Sequence, residues 1–366
     1  MAVELLGPRA LGRATLERQL LLRRDGRSPL DAVQHLVGLQ AQVPRDPYLA
    51  LWSRLDGFRP ETLSELLLER CVVRTTVMRA TIHLVSADDV LGLRPLMQPV
   101  LDAELARHPE FARRLDGVDL GPVLEHARAL FSDRPRTGPE LRAALGERFP
   151  TLDVAAIAYA CRCKLPLVQV PPRGLWGRSA QVTTTTAEAW LGRPLDSRTS
   201  LDDVVLRYLA AFGPATVADV TIWCRLTGMR AVLERLRSRL RTFRDGAGRE
   251  LFDLPDAPRP DPDTPAPTRY LPEYDNALLS HADRRRFVSE RAREGAVRVT
   301  TRVQGAVLQD GMLSAVWRQD RGVPVTLVVT PVVRLSKRAA ASIEAEGRRL
   351  ARFLGDGAPG LVRLEG

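Results

Sequence analysis

Residues 35–47 read HLVGLQAQVPRDP, and the predicted fold is built outward from this stretch. An apolar pattern upstream predicts a helix that runs into it, and Pro44 cannot continue that helix because proline lacks the backbone N–H. Pro47 is typical of the first turn of the next helix. Gln40 and Gln42 are therefore predicted where a helix ends and a short loop begins. Side chains two residues apart in an extended chain point the same way, so both amides are predicted to face one small space.

The glutamine pair has a simpler interpretation as well. A Gln-x-Gln pattern is short, and by itself it is also typical of a helix C-terminus or of solvated surface amides. Asp31 and Asp46 flank the pair. Either carboxylate is a candidate to approach a water held by the glutamines, or to cap a helix instead.

A β-hairpin is predicted over residues 72–85, because this segment alternates and is rich in Thr, Val and Ile. On its second strand Arg79, Thr81 and His83 share one face. These three side chains either line a site beside the glutamines or form an ordinary polar sheet face. The sequence leaves both interpretations open.

Helices followed by a two-stranded wing recur along the chain, which predicts an α+β fold of three tandem winged-helix units around a concave basic channel. A proline-rich stretch, DAPRPDPDTPAP, predicts a stiff linker. Beyond it, alternating segments joined at Gln309-Asp310-Gly311 predict a β-rich, barrel-like domain with a closing helix. The predicted boundaries are 1–118 and 119–198 for the first two winged-helix units, 199–255 for the third, 256–268 for the linker and 269–366 for the C-terminal domain.

Several elements are predicted with specific limits inside these units. The helix before the glutamines is predicted from residue 29, and the helix after them over 48–55. The other predicted limits are 167–170 and 175–177 for the strands of the second wing, 229–240 for the third helix of the third unit, 297–308, 312–318 and 323–333 for the C-terminal strands, and 336–354 for the closing helix.

The charge of the chain favours a polyanionic partner. Its 366 residues carry 54 Lys and Arg against 44 Asp and Glu, a formal net charge of +10 with a pI of about 10.2. Nucleic acid is the simplest partner for such a chain, although a basic protein without one is the alternative. Almost all of the positive charge is arginine, since Lys164 and Lys337 are the only lysines.

No motif predicts a metal ion or another cofactor. Cys161 and Cys163 have the wrong spacing for a zinc knuckle, and the five histidines are scattered without ligand spacing. We expect these two cysteines to be core or near-core thiols of a helix. No apolar run approaches membrane-spanning length, and there is no secretory leader. The sequence therefore predicts a cytoplasmic, reduced protein that does not enter a membrane, with a monomer as the expected state.

Three basic segments are candidates for contact with DNA phosphates. The first lies at the tip of the second wing, the second along the third helix of the third unit, and the third in the run HADRRR. A solvated surface is the alternative for each, and Glu234 within the second segment keeps that alternative open. The candidate residues are Arg173, Arg230, Arg235, Arg237, Arg239, Arg241, Arg284, Arg285 and Arg286.

Four blocks in order resemble one protein family. They are Gln40-Ala41-Gln42, RTTVMRATIHLV at 74–85, RYLAAFGPAT at 207–216, and LPEYDNALL at 271–279 with ADR just after it. Together they resemble the AlkZ-type DNA glycosylases, members of a bacterial superfamily of tandem winged-helix proteins that also includes YcaQ-like enzymes. The resemblance spans nearly the whole chain.

The resemblance implies a monofunctional DNA glycosylase with a QΦQ motif, in which Φ is apolar and is here Ala41. Gln40 and Gln42 fall on its two glutamines. An acid replaces the second glutamine in the YcaQ-like branch, so Gln42 favours the AlkZ-like branch. That branch is associated with unhooking interstrand crosslinks made by azinomycin-type agents, which gives the producing bacterium self-resistance. The implied substrate is double-stranded DNA with alkylated or crosslinked guanine.

Two amides suit one reaction in particular. An amide is too weak a base to abstract a proton near neutral pH, but its carbonyl oxygen can hold a water and stabilise positive charge on a sugar. A guanine alkylated at N7 is already cationic, so it leaves without a general acid. A β-lyase step would need an amine for a Schiff base. Because neither lysine lies near Gln40 or Gln42 in the sequence, we expect hydrolysis without strand cleavage.

The competing hypothesis is a non-enzymatic tandem winged-helix DNA-binding protein such as a transcription regulator. A regulator usually dimerises on a palindrome, and the sequence shows no heptad or dedicated dimerisation helix. A structural protein that binds DNA ends or junctions is a third alternative. Only the glycosylase hypothesis gives the glutamine pair a necessary role.

Overall fold

The structure is a computed structural model that describes residues 4–196, 198–299, 304–320 and 322–365. These residues form seventeen α-helices and three β-sheets. The helices are α1 Pro8–Arg18, α2 Pro29–His35, α3 Asp46–Arg54, α4 Pro60–Leu68, α5 Ala87–Leu96, α6 Gln98–Arg107, α7 Phe111–Arg114, α8 Gly121–Asp133, α9 Gly138–Arg148, α10 Val154–Lys164, α11 Ala187–Leu191, α12 Leu201–Phe212, α13 Val217–Cys224, α14 Met229–Arg235, α15 Asn276–Leu279, α16 Glu290–Val299 and α17 Lys337–Leu354. The strands are β1 Leu5–Leu6, β2 Leu39–Gln40, β3 Val72–Thr76, β4 Ile82–Ser86, β5 Arg136–Thr137, β6 Leu167–Gln169, β7 Thr183–Thr186, β8 Arg241–Asp245, β9 Glu250–Asp253, β10 Arg269–Leu271, β11 Gly305–Gln309, β12 Met312–Asp320, β13 Thr326–Pro331 and β14 Leu361–Leu364.

The helix predicted from residue 29 is confirmed as α2, but its predicted continuation to the glutamines is wrong, because Gln40 lies on β2. Ser28 caps α2 by accepting a hydrogen bond from a backbone N–H of the first turn, but the helix ends at His35. Val37 (φ 53°) and Gly38 (φ 92°) then reverse the chain, which an α-helix cannot accommodate. The helix after the glutamines is confirmed as α3, with Pro47 in its first turn.

A six-stranded sheet with the order β2-β4-β3-β6-β7-β5 carries the glutamine strand at one edge. The predicted hairpin is confirmed as β3 and β4, which pair antiparallel, and β6 joins β3 on its other side. The strand predicted over 175–177 is wrong, because Gly174 (φ 95°) and Gly177 (φ 66°) bend the chain there and the partner of β6 is β7 instead. The first two wings thus form one continuous sheet, and the division into separate units stays a prediction.

Helices α12, α13 and α14 are followed by the antiparallel pair β8–β9, which matches the pattern predicted for the third winged-helix unit. Thr216 and Asp219 form a capping box at the start of α13. The third helix is shorter than the predicted 229–240, because α14 ends at Arg235 and a 3-10 turn follows. Near the N-terminus, β1 adds to β8 in parallel and completes a three-stranded sheet.

The C-terminal region is an open five-stranded sheet, β10-β11-β12-β13-β14, so the barrel-like closure is wrong. The predicted turn is confirmed, with Asp310 (φ 49°) and Gly311 (φ 77°) in the left-handed region that a two-residue hairpin requires. The strand predicted over 297–308 is wrong in its first part, since α16 continues to residue 299 and β11 begins at residue 305; residues 300–303 lie outside the described ranges. The closing helix is confirmed as α17, onto which Tyr270 donates a hydrogen bond at Ile343 O (2.9 Å).

Buried ion pairs tie these parts together around the glutamine strand. Arg54 of α3 donates to both carboxylate oxygens of Asp275 at 2.8 and 2.7 Å, and Arg18 of α1 does the same to Asp253 at 2.6 and 2.9 Å. Loss of one partner would leave a buried charge uncompensated, at a cost of roughly 3–5 kcal/mol. The first pair fixes the loop around Asp275 against the segment that follows the glutamines.

Candidate active site at the glutamine strand

The position of Gln40 depends on a close approach between the segment 38–40 and strand β4. The residue pairs with His83 across β2 and β4. A Cβ on Gly38 would lie 2.7 Å from Val85 Cγ1 and 3.0 Å from Leu84 O. Only glycine allows this approach together with the positive φ of that residue. The glycine just before the motif therefore determines how deeply the glutamine strand enters the sheet.

Arg79 fixes the Gln40 amide. The Gln40 side chain is buried, and its Oε1 accepts a hydrogen bond from Arg79 Nη2 at 2.7 Å. The same guanidinium donates to Asn276 Oδ1 at 2.7 Å and to Trp223 O at 3.3 Å. Arg79 thus joins the glutamine strand to α13 and α15, and these contacts set the orientation of the amide.

Gln42 is exposed and lies at the edge of a cleft. Its Oε1 accepts a long hydrogen bond, 3.4 Å, from the backbone N–H of Ile82. The partners of both amides therefore come from the one segment 79–83. Because each carbonyl oxygen has two lone pairs, each amide retains an acceptor site for a further donor.

The expected strand face of Arg79, Thr81 and His83 is wrong in its geometry. Arg79 lies in a 3-10 turn between the two strands with φ 59°, and Thr81 precedes β4. His83 is the one member of the set within a strand, and its Nε2 lies 3.3 Å from Arg79 Nη2. Thr81 Oγ1 donates to Met78 O, and Thr81 also lines the cleft beside Gln42. The structure nevertheless brings all three residues to the glutamines.

His83 is neutral at physiological pH. Burial, followed by the charge of Arg79, lowers the pKa of His83 to about 3. The tautomer with a proton on Nδ1 fits both contacts, because Nδ1 then donates to Thr81 O while Nε2 is an unprotonated nitrogen 3.3 Å from Arg79 Nη2, whose two hydrogens go to Gln40 and Asn276. Such a group orients its neighbours and is too weakly basic to take a proton from water.

The two flanking carboxylates are in very different places. Asp46, the first residue of α3, is 1% exposed, and its Oδ2 accepts no hydrogen bond from the described residues. Burial, then the charge of Glu273, raises the pKa of Asp46 to about 7. Asp31 is exposed in the first turn of α2, where it accepts a hydrogen bond from Ser28 Oγ at 2.7 Å. Asp31 therefore belongs to the first turn of α2, and within the described residues no hydrogen bond joins it to Gln40 or Gln42.

Positive charge is concentrated beside Gln40. Burial and the charges of Arg225 and Arg284 lower the pKa of Arg79 to about 10, so it remains a cation at neutral pH. Arg225 and Arg284 are exposed, and Arg225 donates to Arg79 O at 3.4 Å. None of the three forms an ion pair with a carboxylate in the described part of the chain. This unpaired charge favours an anionic ligand at the mouth of the site.

Arg286 cannot contact DNA, so its prediction is wrong. It is buried, donates to Thr15 Oγ1 (3.0 Å) and Pro214 O (3.2 Å), and lies 3.7 Å from the carboxylate of Asp219. A buried and paired guanidinium is not available to a phosphate. Arg286 instead joins α1 to the start of α13.

The other arginines predicted to contact DNA differ in whether they already have a partner within the protein. Arg230 and Arg239 are exposed and form no ion pair within the described residues. The remaining candidates have protein partners: Arg235 with Asp202, Arg237 with Glu234 and Glu250, Arg241 with Glu4, Arg285 with Asp283, and Arg173 with the backbone oxygen of Ala180.

Sequence reasoning missed three residues of the site. Arg74 is buried beneath the motif and donates to Ala41 O at 2.7 Å, which fixes the backbone between the two glutamines. Asn276 contacts Arg79 and donates to Gly38 O at 3.3 Å. Arg225 supplies charge from the end of α13. Arg74 and Asn276 lie inside the blocks RTTVMRATIHLV and LPEYDNALL, and this position is the signal that could have identified them.

Two further observations concern metal ions and membranes. Within the described ranges, no group of three or more His, Cys, Asp or Glu side chains is arranged to hold a metal ion. Among the helices of those same residues, none combines the length and apolar character needed to cross a membrane.

Comparison with known proteins identifies the family. The model of the family described as DNA glycosylase AlkZ-like matches residues 33–353, which include the glutamine strand and the segment 79–83. The chain belongs to the AlkZ-like DNA glycosylase family. A member from Streptomyces sahachiroi, described as an interstrand DNA cross-link repair glycosylase, is 24% identical over 361 residues, covering 93% of this chain and 94% of the relative.

The fold is also that of the family. The solved structure of Streptomyces sahachiroi DNA glycosylase AlkZ superposes with a TM-score of 0.77, covering 99% of this chain and all of that one. Sequence identity in this comparison is 20%, so the likeness concerns the architecture. The mixed helix and sheet arrangement predicted from the sequence is therefore confirmed.

Proposed function

We propose that this AlkZ-like protein is a monofunctional DNA glycosylase that hydrolyses the N-glycosidic bond of N7-alkylated, cationic purines in double-stranded DNA. The observation that carries the proposal is that one short segment, 79–83, binds both glutamine amides, with Gln40 fixed by Arg79 and Gln42 open to a cleft. We include guanines crosslinked between strands, such as those formed by azinomycin-type agents, because the relative from Streptomyces sahachiroi is described as acting on interstrand crosslinks.

The chemistry requires a positioned water and little else. The remaining lone pairs of the two amide oxygens accept hydrogen bonds from one water and aim it at the anomeric carbon. The same oxygens face the positive charge that develops on the sugar as the base leaves. Asp46, buried at the start of α3 and four residues after Gln42 in the chain, is the carboxylate that we propose as support for this water. The unpaired Arg225 and Arg284 hold the phosphate backbone beside the reacting nucleotide.

Strand cleavage is not expected from this site. A lyase step needs an uncharged amine, and the chain has only Lys164, Lys337 and its N-terminus as amine sources. The ammonium of Lys164 lies 2.9 Å from the carboxylate of Asp102, so this side chain is engaged in an ion pair. We therefore expect no borohydride-trapped adduct between the protein and DNA.

A base-release assay tests the proposal. Duplex DNA containing N7-methylguanine is incubated with wild type, Gln40→Ala and Gln42→Ala, with Gln181→Ala as the matched control because that glutamine is exposed and outside the cleft lining. We expect alkali-labile sites with wild type and the control. Each motif variant should lose about 100-fold in rate, as expected for the loss of one preorganised electrostatic contact.

The alternative outcomes are also informative. Full activity in both motif variants would place the chemistry elsewhere, with Asp46 as the next residue to substitute and Asp31 as its exposed counterpart. No base release from N7-methylguanine or from a crosslinked duplex, with DNA binding intact, would favour the DNA-binding regulator instead.

A further inference from the structure

Beneath the glutamine motif lies a buried cation with unused hydrogen-bond donors. Arg74, on β3, is 1% exposed, and its guanidinium makes one hydrogen bond, from Nη2 to Ala41 O at 2.7 Å. Its Nε and Nη1 are also buried, and neither donates to an acceptor among the described residues. Buried charges in proteins are normally paired, because moving an unpaired ion out of water is strongly unfavourable.

Two other buried arginines differ from Arg74 in having carboxylate partners. Arg18 donates to both carboxylate oxygens of Asp253, and Arg54 does the same to Asp275. No Asp or Glu of the described residues lies within ion-pair distance of Arg74. The protein therefore compensates buried guanidinium charge with carboxylates in other places, but not at this position.

A second arginine lies against the first. Gly174 packs on the Arg74 side chain, since a Cβ on it would lie 2.9 Å from Arg74 Cδ and 3.3 Å from Nη1. This contact brings in the preceding residue, Arg173, whose Nη1 donates to Ala180 O while its Nε is buried without an acceptor. Within the described ranges Arg173 has no ion-pair partner either. Burial, followed by the charge of Arg173, lowers the pKa of Arg74 to about 10, so Arg74 is still a cation at neutral pH.

We propose that Arg74 and Arg173 bind one small inorganic anion such as chloride, which accepts hydrogen bonds from Nε and Nη1 of Arg74 and from Nε of Arg173. A monatomic anion accepts from several donors in little space and neutralises charge that no carboxylate compensates. A DNA phosphate does not suit these donors, because it belongs to a duplex on the surface and the three nitrogens are buried. The anion stabilises the guanidinium that fixes Ala41 O, and with it the backbone between the two glutamines. This site is independent of the proposed glycosylase chemistry.

Removing the second arginine tests the site without touching the contact to the motif. Arg173→Gln deletes one cation and keeps a polar side chain. Arg178→Gln is the matched control, because Arg178 is an exposed arginine of the same loop and has no ion-pair partner among the described residues. Thermal melting in chloride-free buffer first establishes that both variants are folded.

The melting temperature then reports binding by the folded state. At constant ionic strength, replacing methanesulfonate by chloride up to about 200 mM should raise the melting temperature of wild type and of Arg178→Gln by about 2 °C or more. Arg173→Gln should show less than about half of that rise, since the anion loses one of its two cations. No rise in wild type, or an equal rise in Arg173→Gln, would overturn the proposal.

Direct observation of the ion completes the test. In chloride-35 NMR at the same ionic strength, wild type and Arg178→Gln should broaden the chloride line equally, and Arg173→Gln should broaden it less. A crystal of wild type soaked in bromide should show an anomalous peak between the guanidiniums of Arg74 and Arg173. Equal broadening by wild type and Arg173→Gln, or the lack of a peak at this position, would contradict an anion site here.

Discussion

Asp46→Asn provides a quantitative test of the electrostatics beside the glutamines. Burial, then the charges of Glu273 and Asp275, raise the pKa of Asp46 from its ordinary value of 3.8 to about 7. The folded state therefore binds a proton at pH values where the unfolded chain has already lost it. The stability contributed by this protonation is fully present below about pH 4 and is lost as the pH rises toward 7.

The magnitude follows from the size of the shift. About three pKa units at 1.36 kcal/mol each correspond to a penalty on the order of 4 kcal/mol for ionising Asp46 in the folded protein. Asp46 also begins α3, and the helix dipole favours the charged form by about 0.3–1 kcal/mol. A net effect of about 3 kcal/mol remains. Asparagine has nearly the same shape and does not ionise, so it removes this penalty.

Urea unfolding at pH 4.5, 6 and 8 measures the effect. The free energy of unfolding of Asp46→Asn, relative to wild type, should rise by about 3 kcal/mol between pH 4.5 and pH 8. Asp31→Asn is the control, because Asp31 is an exposed carboxylate in the first turn of α2 and should show a change below about 1 kcal/mol. A difference between Asp46→Asn and wild type that stays constant within about 0.5 kcal/mol would refute the reasoning.

Three further predictions concern the contacts around the motif. Arg79→Met should slow base release by roughly 10–100-fold through loss of a charge-assisted hydrogen bond of about 1.5–3 kcal/mol, and its effect should not add to that of Gln40→Ala in a double-mutant cycle of single-turnover rates. Gly38→Ala should lower the free energy of unfolding by at least about 1 kcal/mol in urea, because of the clash and the positive φ. Arg284→Ala should reduce the steepness of the plot of log DNA-binding constant against log salt concentration by about 0.9, because Arg284 is exposed. Equal salt slopes for Arg284→Ala and wild type would contradict the DNA contact. Arg286→Ala should instead lower the melting temperature, because Arg286 is buried.

Local signals in the sequence were sufficient for much of the fold. The alternation of residues 72–85 and the turn at Gln309-Asp310-Gly311 each concern neighbours in the chain, and both predictions are confirmed. The glutamine pair was also visible as a motif. The helix predicted to reach it was wrong because the reversal at Val37 and Gly38 depends on contact with β4, which the local pattern does not contain.

Contacts between distant parts of the chain escaped prediction for a physical reason. Gln40, Arg79 and Asn276 meet in space although they are far apart in sequence, so no spacing rule connects them. The run Arg284-Arg285-Arg286 shows the same limit. Three successive residues on a 3-10 turn point in different directions, so one member is buried against Asp219 while the first two are exposed. The amino-acid sequence of this run alone does not show which of the three arginines is buried.

The most direct test of the central claim is the single-turnover rate of N7-methylguanine release by wild type and by Gln40→Ala/Gln42→Ala, with the DNA affinity of both proteins measured in parallel. We predict that the double variant binds the damaged duplex as wild type does and releases the base at least 100-fold more slowly. A change in rate of less than about threefold, below 1 kcal/mol in activation free energy, would contradict a water held by the two glutamines.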